Sequence, residues 1–264
     1  MAESAASAPS PRPEARGTLG TVRNAVALLD LLSDGPAYQH LNDLSERSGL
    51  SVATAHRLLR SLVLADLVEQ DPRTSRYGLG PGVTRLSERY LGRLPVLGAL
   101  APYLVRLRDA TGHTIQVALL VRGSVVYVDR VDGADGGLYR EAHRVRPALS
   151  TAAGRILAAG AEDVAWGQAL ETAEPELREQ GEKERDTWRQ APYLCLAATE
   201  AGMAGSVLSQ PEPLEVAVGV PDSSGRPVAA LAVTPDELPQ DRIEPLARQL
   251  VQAATAAGRT LSHG

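Results

Sequence analysis

Between Asn42 and Leu62 the chain runs as a short apolar-periodic segment, a glycine, a serine and a longer apolar-periodic segment, an order that few small units share. Asn42 is placed to cap a brief helix with Leu44 on its inner side and Gly49 at its end. Ser51 is placed to cap a longer helix through Ala65, in which Val52, Ala55, Leu58, Leu59 and Leu62 form one stripe. Upstream, Val22, Ala25, Val26, Leu28, Leu29 and Leu32 recur at helical spacing from Thr21 until Ser33-Asp34-Gly35-Pro36 stops them. Downstream, Leu67 to Gln70 and Arg76 to Leu79 flank the turn Asp71-Pro72-Arg73-Thr74-Ser75, which reads as a hairpin. Three helices and a hairpin in this order predict a winged helix-turn-helix.

The side of the third helix that faces away from its stripe carries Ser51, Ala53, Thr54, Arg57, Arg60 and Ser61. Thr54, Arg57 and Ser61 fall at i, i+3 and i+7 and so share one surface, small near the helix start and cationic further on. Such a side suits the major groove of double-stranded DNA, and Arg73 and Arg76 in the hairpin would meet phosphates. His56 falls at the boundary between stripe and open side, where a phosphate contact and a packed spacer are both open readings.

Composition narrows the remaining chemistry. With 264 residues, 44% hydrophobic and 22% charged, the chain is expected to fold. Aromatics are 3% and Phe is absent, which disfavours the stacking platforms of single-strand binders. Every basic residue except Lys183 is Arg, and Lys183 sits in a charged segment, so neither a P-loop nor a Schiff-base lysine is expected. A lone Cys195 speaks against a disulfide framework or a thiolate-rich metal site and fits a reducing cytoplasm. The five histidines, at 40, 56, 113, 143 and 263, lack metal-type spacing, and no nucleophile elbow occurs. No catalytic residue, metal or cofactor is expected. The net charge of -5 conceals two unlike halves: residues 1–98 carry 11 Arg against 10 acids, and residues 99–264 carry 16 basic against 22 acidic residues. Gly78, Gly80 and Gly82 follow a hairpin rather than a parallel strand, and read as a hinge instead of a nucleotide loop.

Four segments are expected. Residues 1–17, rich in Ala, Ser and Pro, read as a disordered tail, and residues 18–80 as the winged helix-turn-helix. Residues 81–98 read as a linker and dimer helix with Val83, Leu86, Tyr90 and Leu94 on one side, ended by Pro95. Residues 99–264 read as a second domain. It opens with a helix bearing Leu100, Tyr103, Leu104 and Leu107 that ends at Gly112. Hairpins follow at 114–130, around Arg122-Gly123, and at 214–234, around Asp222 to Gly225. Helices are expected at 152–159, 163–189 and 241–260, with residues 171–190 as a solvated helix face. The fold class is α+β, an antiparallel sheet with helices. No apolar run is long enough for a membrane span, and a cytoplasmic protein is expected.

The runs TVRNAVALLDLLSDG and LNDLSERSGLSVATAHRLLRSLVLADLVEQDPRTSRYGLGPGVTRL closely resemble the DNA-binding domain of IclR-type bacterial transcriptional regulators. VVYVDRVDG, PALSTAAGRILAAG and LEVAVGVPDSSGRPVAALAVTP resemble the GAF-like effector domain of the same family, more loosely. The resemblance implies that Thr54, His56, Arg57 and the wing face operator DNA. It also implies an effector site against the sheet, at Leu149, Ala152, Ala153, Gly219, Ala232 and Thr234. Many members carry His, Cys and Ser where this chain has Leu149, Gly219 and Ala232, so a less polar pocket is expected. The function implied is a homo-oligomeric regulator, dimer or tetramer, that binds a pseudo-palindromic operator and senses a small molecule. A ligand-independent regulator and an enzyme carrying an accessory helix-turn-helix are the alternatives.

Overall fold

The computed structural model describes residues 13–134, 145–196, 214–235 and 238–262, and its two compact units are Met1–Gly92 and Arg93–Gly264. The first unit contains α1 (Pro13–Ser33), α2 (Leu41–Ser48), α3 (Val52–Leu64), the strands β1 (Val68–Gln70) and β2 (Tyr77–Leu79), and α4 (Gly82–Leu91). Leu28, Leu32, Leu44, Leu58, Leu59, Leu62, Val68 and Tyr77 form its core. Gly49 closes α2 in the left-handed conformation, φ +67°, which glycine adopts without a Cβ penalty. Ser51 caps α3, its hydroxyl oxygen accepting the Thr54 N–H at 3.2 Å.

Two boundaries and the role of two glycines differ from the sequence reading. α1 begins at Pro13, so helix extends into the segment expected as tail; the fixed φ of proline suits a first helical turn. α2 begins at Leu41 with His40 at the cap position, which leaves Asn42 inside the first turn. The glycines after β2 serve close packing: a Cβ on Gly80 or Gly82 would stand 2.4 or 2.7 Å from the Asp66 carbonyl oxygen. That carbonyl accepts the Gly82 N–H at 2.8 Å, and Leu67 accepts that of Gly80 at 2.9 Å.

The hairpin is fastened to the helices by a residue that the sequence reading did not single out. Gln39 pairs with Tyr77 through two backbone hydrogen bonds, 2.8 and 2.9 Å. Its buried side chain donates to the carbonyls of Leu31 (2.7 Å) and Asp34 (3.0 Å) and accepts from Arg47 at 2.7 Å. Gln39 thereby joins the end of α1 and the body of α2 through its side-chain amide, whose hydrogen-bonding capacity is largely used, and β2 through its backbone.

The second unit contains α5 (Pro95–Thr111), β3 (Ile115–Val121), β4 (Ser124–Val131), β5 (Val145–Pro147), a 3-10 turn at Ala148–Ser150, α6 (Ala152–Gly160), α7 (Asp163–Glu171), α8 (Pro175–Gln190), β6 (Leu194–Leu196), β7 (Glu215–Pro221), β8 (Pro227–Val233) and α9 (Gln240–Leu261). The strands form one antiparallel sheet in the order β5-β4-β3-β8-β7-β6. Arg122 (φ +48°) and Gly123 (φ +78°) make the tight turn between β3 and β4. Pro95 starts α5 instead of ending a linker helix, and Pro175 starts α8, which splits the expected 163–189 helix in two. The short β5 and β6 were not anticipated.

Alternation along β7 sorts the sheet faces. Glu215, Ala217 and Gly219 turn toward α6, while Val216, Val218 and Val220 are buried on the other face, where α9 packs on β7. Ala118, Ala217, Ala230 and Ala232 meet Ala152, Ala153 and Ile156 of α6, small side chains that let helix and sheet approach closely. In the α7–α8 layer Trp166 and Trp188 stack edge to face at 6.4 Å, with Arg185 over Trp166 and Arg155 over Trp188, each at 4.8 Å. Within the segment read as a solvated face, Trp188 is therefore buried.

A single carboxylate sits in the alanine layer. Glu215 is 6% exposed; one oxygen accepts the Tyr127 hydroxyl and the other the Ala152 N–H at the start of α6, both at 2.5 Å. Burial pushes this carboxyl above its ordinary range, against the pull of those hydrogen bonds, and burial likewise raises the Tyr127 hydroxyl.

Gly80→Ala should destabilise the first unit by about 1–3 kcal/mol, read from denaturant unfolding, since its Cβ would enter the Asp66 carbonyl. Tyr127→Phe should cost about 1–3 kcal/mol by leaving a Glu215 oxygen without its donor. A carboxyl with a raised folded-state pKa favours the fold most at low pH. The stability advantage of the parent over Glu215→Gln should therefore shrink as pH rises above about 4.3, the ordinary glutamate value.

Candidate functional site

Burial of Ala55, Leu58, Leu59 and Leu62 orients α3, whereas Val52, expected in the same stripe, is 47% exposed in the first turn of the helix. Ser51, Ala53, His56, Arg57, Arg60 and Ser61 are exposed and Thr54 is half-buried. Ser51 and Thr54 spend hydrogen bonds on each other, with the Ser51 hydroxyl donating to Thr54 Oγ1 at 2.9 Å. Ser61 donates to the Arg57 carbonyl at 3.1 Å, which keeps its hydroxyl close to the helix. Among the described residues, neither Arg57 nor Arg60 forms an ion pair, so both guanidinium groups are available to an outside anion.

The wing turn is set by its own carboxylate. Asp71 accepts the Arg73 N–H at 2.9 Å and the Thr74 hydroxyl at 2.6 Å, which hold its carboxyl below the usual range. Ser75 takes φ +58° to complete the turn. Arg73 projects from it exposed, whereas Arg76 donates its Nε–H to His40 Nε2 at 3.0 Å. His56 is exposed and lines an open groove of about 510 Å³ with His40, Asn42, Asp43, Gln70, Thr74 and Ser75. The packed-spacer reading of His56 is not what the structure shows.

The six residues matched to an effector site do not share one patch. Ala152, Ala153 and Ala232 lie together in the alanine layer, fully buried. Leu149 belongs to the neighbouring cluster with Trp166 and Trp188, and its carbonyl accepts Arg155 Nε at 2.8 Å. Gly219 lies against Ile156 and Pro227, and Thr234 accepts from Gln116 Nε2 at 3.1 Å. Glu215 and Tyr127 sit beside the three alanines and were missed. The available signal was a glutamate at an inward position of the otherwise apolar strand LEVAVGV. His143 and His263 lie outside the described residues. Among those described, no group of His, Cys, Asp and Glu could hold a metal, and no helix is long and apolar enough to cross a membrane.

Comparison with known proteins gives these features a context. Residues 21–72 match the family model of the IclR helix-turn-helix domain, and residues 88–191 match that of the bacterial transcriptional regulator IclR C-terminal domain. The chain is 26% identical to the HTH-type transcriptional regulator XynR of Escherichia coli over 92% of its own length and 97% of that protein's. It is 29% identical to the glycerol operon regulatory protein of Streptomyces coelicolor, over 81% of this chain and 84% of the other. A putative IclR regulator from a Silicibacter species has the same fold, with a TM-score of 0.75 at 23% identity over 93% of this chain and 97% of that one. An IclR homologue from Microbacterium hydrocarbonoxydans, solved in complex with 4-hydroxybenzoate, superposes with a TM-score of 0.65 at 22% identity over 91% and 98% of the two chains. The chain belongs to the IclR family of DNA-binding bacterial transcriptional regulators.

Proposed function

We propose that the chain is a sequence-specific regulator, without enzymatic activity, whose α3 reads operator base edges in the major groove while its wing grips the flanking backbone. The observation that carries this reading is the exposed Arg57 and Arg60, without an ion pair among the described residues, on a helix that buries Ala55, Leu58, Leu59 and Leu62 on its other side. Ser51, Ala53, Thr54 and Ser61 are the small neighbours that admit a base edge, with His56, Arg73 and Arg76 at phosphates. On the exposed side of α4, Leu86 (52%) and Tyr90 (58%) are the residues we assign to contact with a second copy. A two-fold pair of such units matches a pseudo-palindromic operator at one separation, and a ligand that prefers one separation changes affinity accordingly. In a protein of this kind the working location is the cytoplasm, at the nucleoid.

The second unit is proposed as the sensor, with Leu149, Ala152, Ala153, Gly219, Ala232 and Thr234 as its effector side. Support comes from the 4-hydroxybenzoate complex of a fold neighbour and from the buried Glu215–Tyr127 pair among the alanines. The closed packing of Ala152, Ala153 and Ala232 favours a second reading, a regulator that works without ligand.

On an operator fragment recovered by selection from genomic DNA, Arg57→Ala should lose about 1–3 kcal/mol and relax base preference. Arg73→Ala should weaken all sequences alike and lower the salt slope by about one. Gel-shift titrations in which both variants match the parent would reject the interface. Thermal-shift screening of small aromatic and aliphatic metabolites on the full chain should find a stabilising compound; no shift by any of them would favour the ligand-independent reading.

A further inference from the structure

The open groove between the start of α2, α3 and the wing is lined mostly by side chains able to hydrogen-bond, among them His40, Asn42, His56, Thr74 and Ser75, and it includes one carboxylate, that of Asp43. At its rim Arg76 does not hang free. Its Nε–H points at His40 Nε2, 3.0 Å away, across 36 positions of sequence. For that bond to exist, Nε2 must carry the lone pair and Nδ1 the proton, so the pair forms with neutral histidine. His40 itself is exposed and makes no other side-chain hydrogen bond among the described residues. The fold at this point is held by its neighbour Gln39, through the two backbone bonds to Tyr77 and three side-chain bonds. His40 is thus not needed to attach the wing.

What the pair does is restrict Arg76. A free arginine samples many rotamers and loses that entropy when it grips a phosphate. Using Nε on His40 fixes the plane of the guanidinium and leaves both terminal amino groups for two oxygens of one anion. We infer that His40 is a positioning residue, which pre-aims Arg76 so that a backbone phosphate of the duplex seats in the groove between recognition helix and wing. This rests on the DNA-binding reading above and adds to it a residue in the approach to α2, outside both helix α3 and the hairpin.

Because a phosphate contact is blind to sequence, the test uses a fluorescein-labelled mixed-sequence duplex with the full-length protein at low salt, read by anisotropy. Four variants are compared with the parent: His40→Ala, His40→Gln, Arg76→Ala and the double variant His40→Ala with Arg76→Ala. Arg76→Ala should weaken binding about five- to tenfold and reduce the salt slope by about one. His40→Ala should weaken it about threefold, and His40→Gln, whose amide oxygen can accept the same N–H, should recover most of that loss. In the Arg76→Ala background, removing His40 should have no further effect, because its contribution passes through Arg76. A loss from His40→Ala that persists without Arg76, or a His40→Ala protein that binds like the parent, would overturn the positioning role. If Arg76→Ala binds like the parent, the wing contact itself fails and this inference with it. Equal thermal midpoints across the set, as expected for an exposed side chain, exclude unfolding as the cause; a midpoint lowered by His40→Ala but not His40→Gln, with binding unchanged in both, would assign the bond to stability and reject the proposal.

Discussion

Four side chains on one stripe of α3, Ala55, Leu58, Leu59 and Leu62, determine what the first unit can do. Each buried leucine contributes roughly 1.5–3 kcal/mol, and together they fix the rotation of α3 about its own axis against Leu28, Leu32 and Leu44. A helix that discharges its apolar surface inward is free to be polar outward. That is why Arg57, Arg60 and Ser61 can stand exposed without cost to the fold, and why a shift in the register of the stripe would turn leucines toward solvent and arginines toward the core.

Each unit pins its main packing with one buried polar side chain that answers several partners at once. In the first, Gln39 joins α1, α2 and the hairpin, so the wing is held in a defined place beside α3. In the second, Glu215 joins β7 to β4 through Tyr127 and to the start of α6 through the Ala152 N–H. The surrounding alanines supply close approach but little directional information, since small apolar contacts are non-directional. Direction comes from the carboxylate, which stands on β7 and has its partners on two other elements, β4 and α6. Each polar atom of both groups has a hydrogen-bond partner, which is the condition under which a buried polar residue fixes an arrangement instead of weakening it.

The helix-turn-helix was legible because its signals are local: a cap, a left-handed glycine and a stripe at helical period lie within a few turns of one another. Ser51, Gly49 and the leucines appear in the structure as their spacing predicts. Pro95 was read as a stop where it starts α5, and Pro175 was passed over inside an expected helix that it divides, since the residue that breaks one helix is able to start the next. The glycines after the wing were read for flexibility, yet the deciding fact is the carbonyl of Asp66 pressed against them, a contact no local pattern encodes. Gln39, His40 and Tyr127 were passed over for the same reason: their partners are distant in sequence, and their roles exist only once the chain has folded. On the effector side, the matched positions fall in two clusters and one strand end, since sequence correspondence fixes position along an element but not which neighbours close around it.

The central claim is that the outer side of α3 enters the major groove. Guanine methylation interference tests it most directly, because a methyl group on N7 projects into that groove while one on adenine N3 lies in the minor groove. Operator fragments methylated sparsely by dimethyl sulfate and sorted into bound and free fractions should show bound DNA depleted of N7-methylated guanines in two blocks centred about one helical turn apart, or a multiple of that. Bound DNA carrying N7-methyl groups at the same frequency as free DNA throughout the fragment would contradict it.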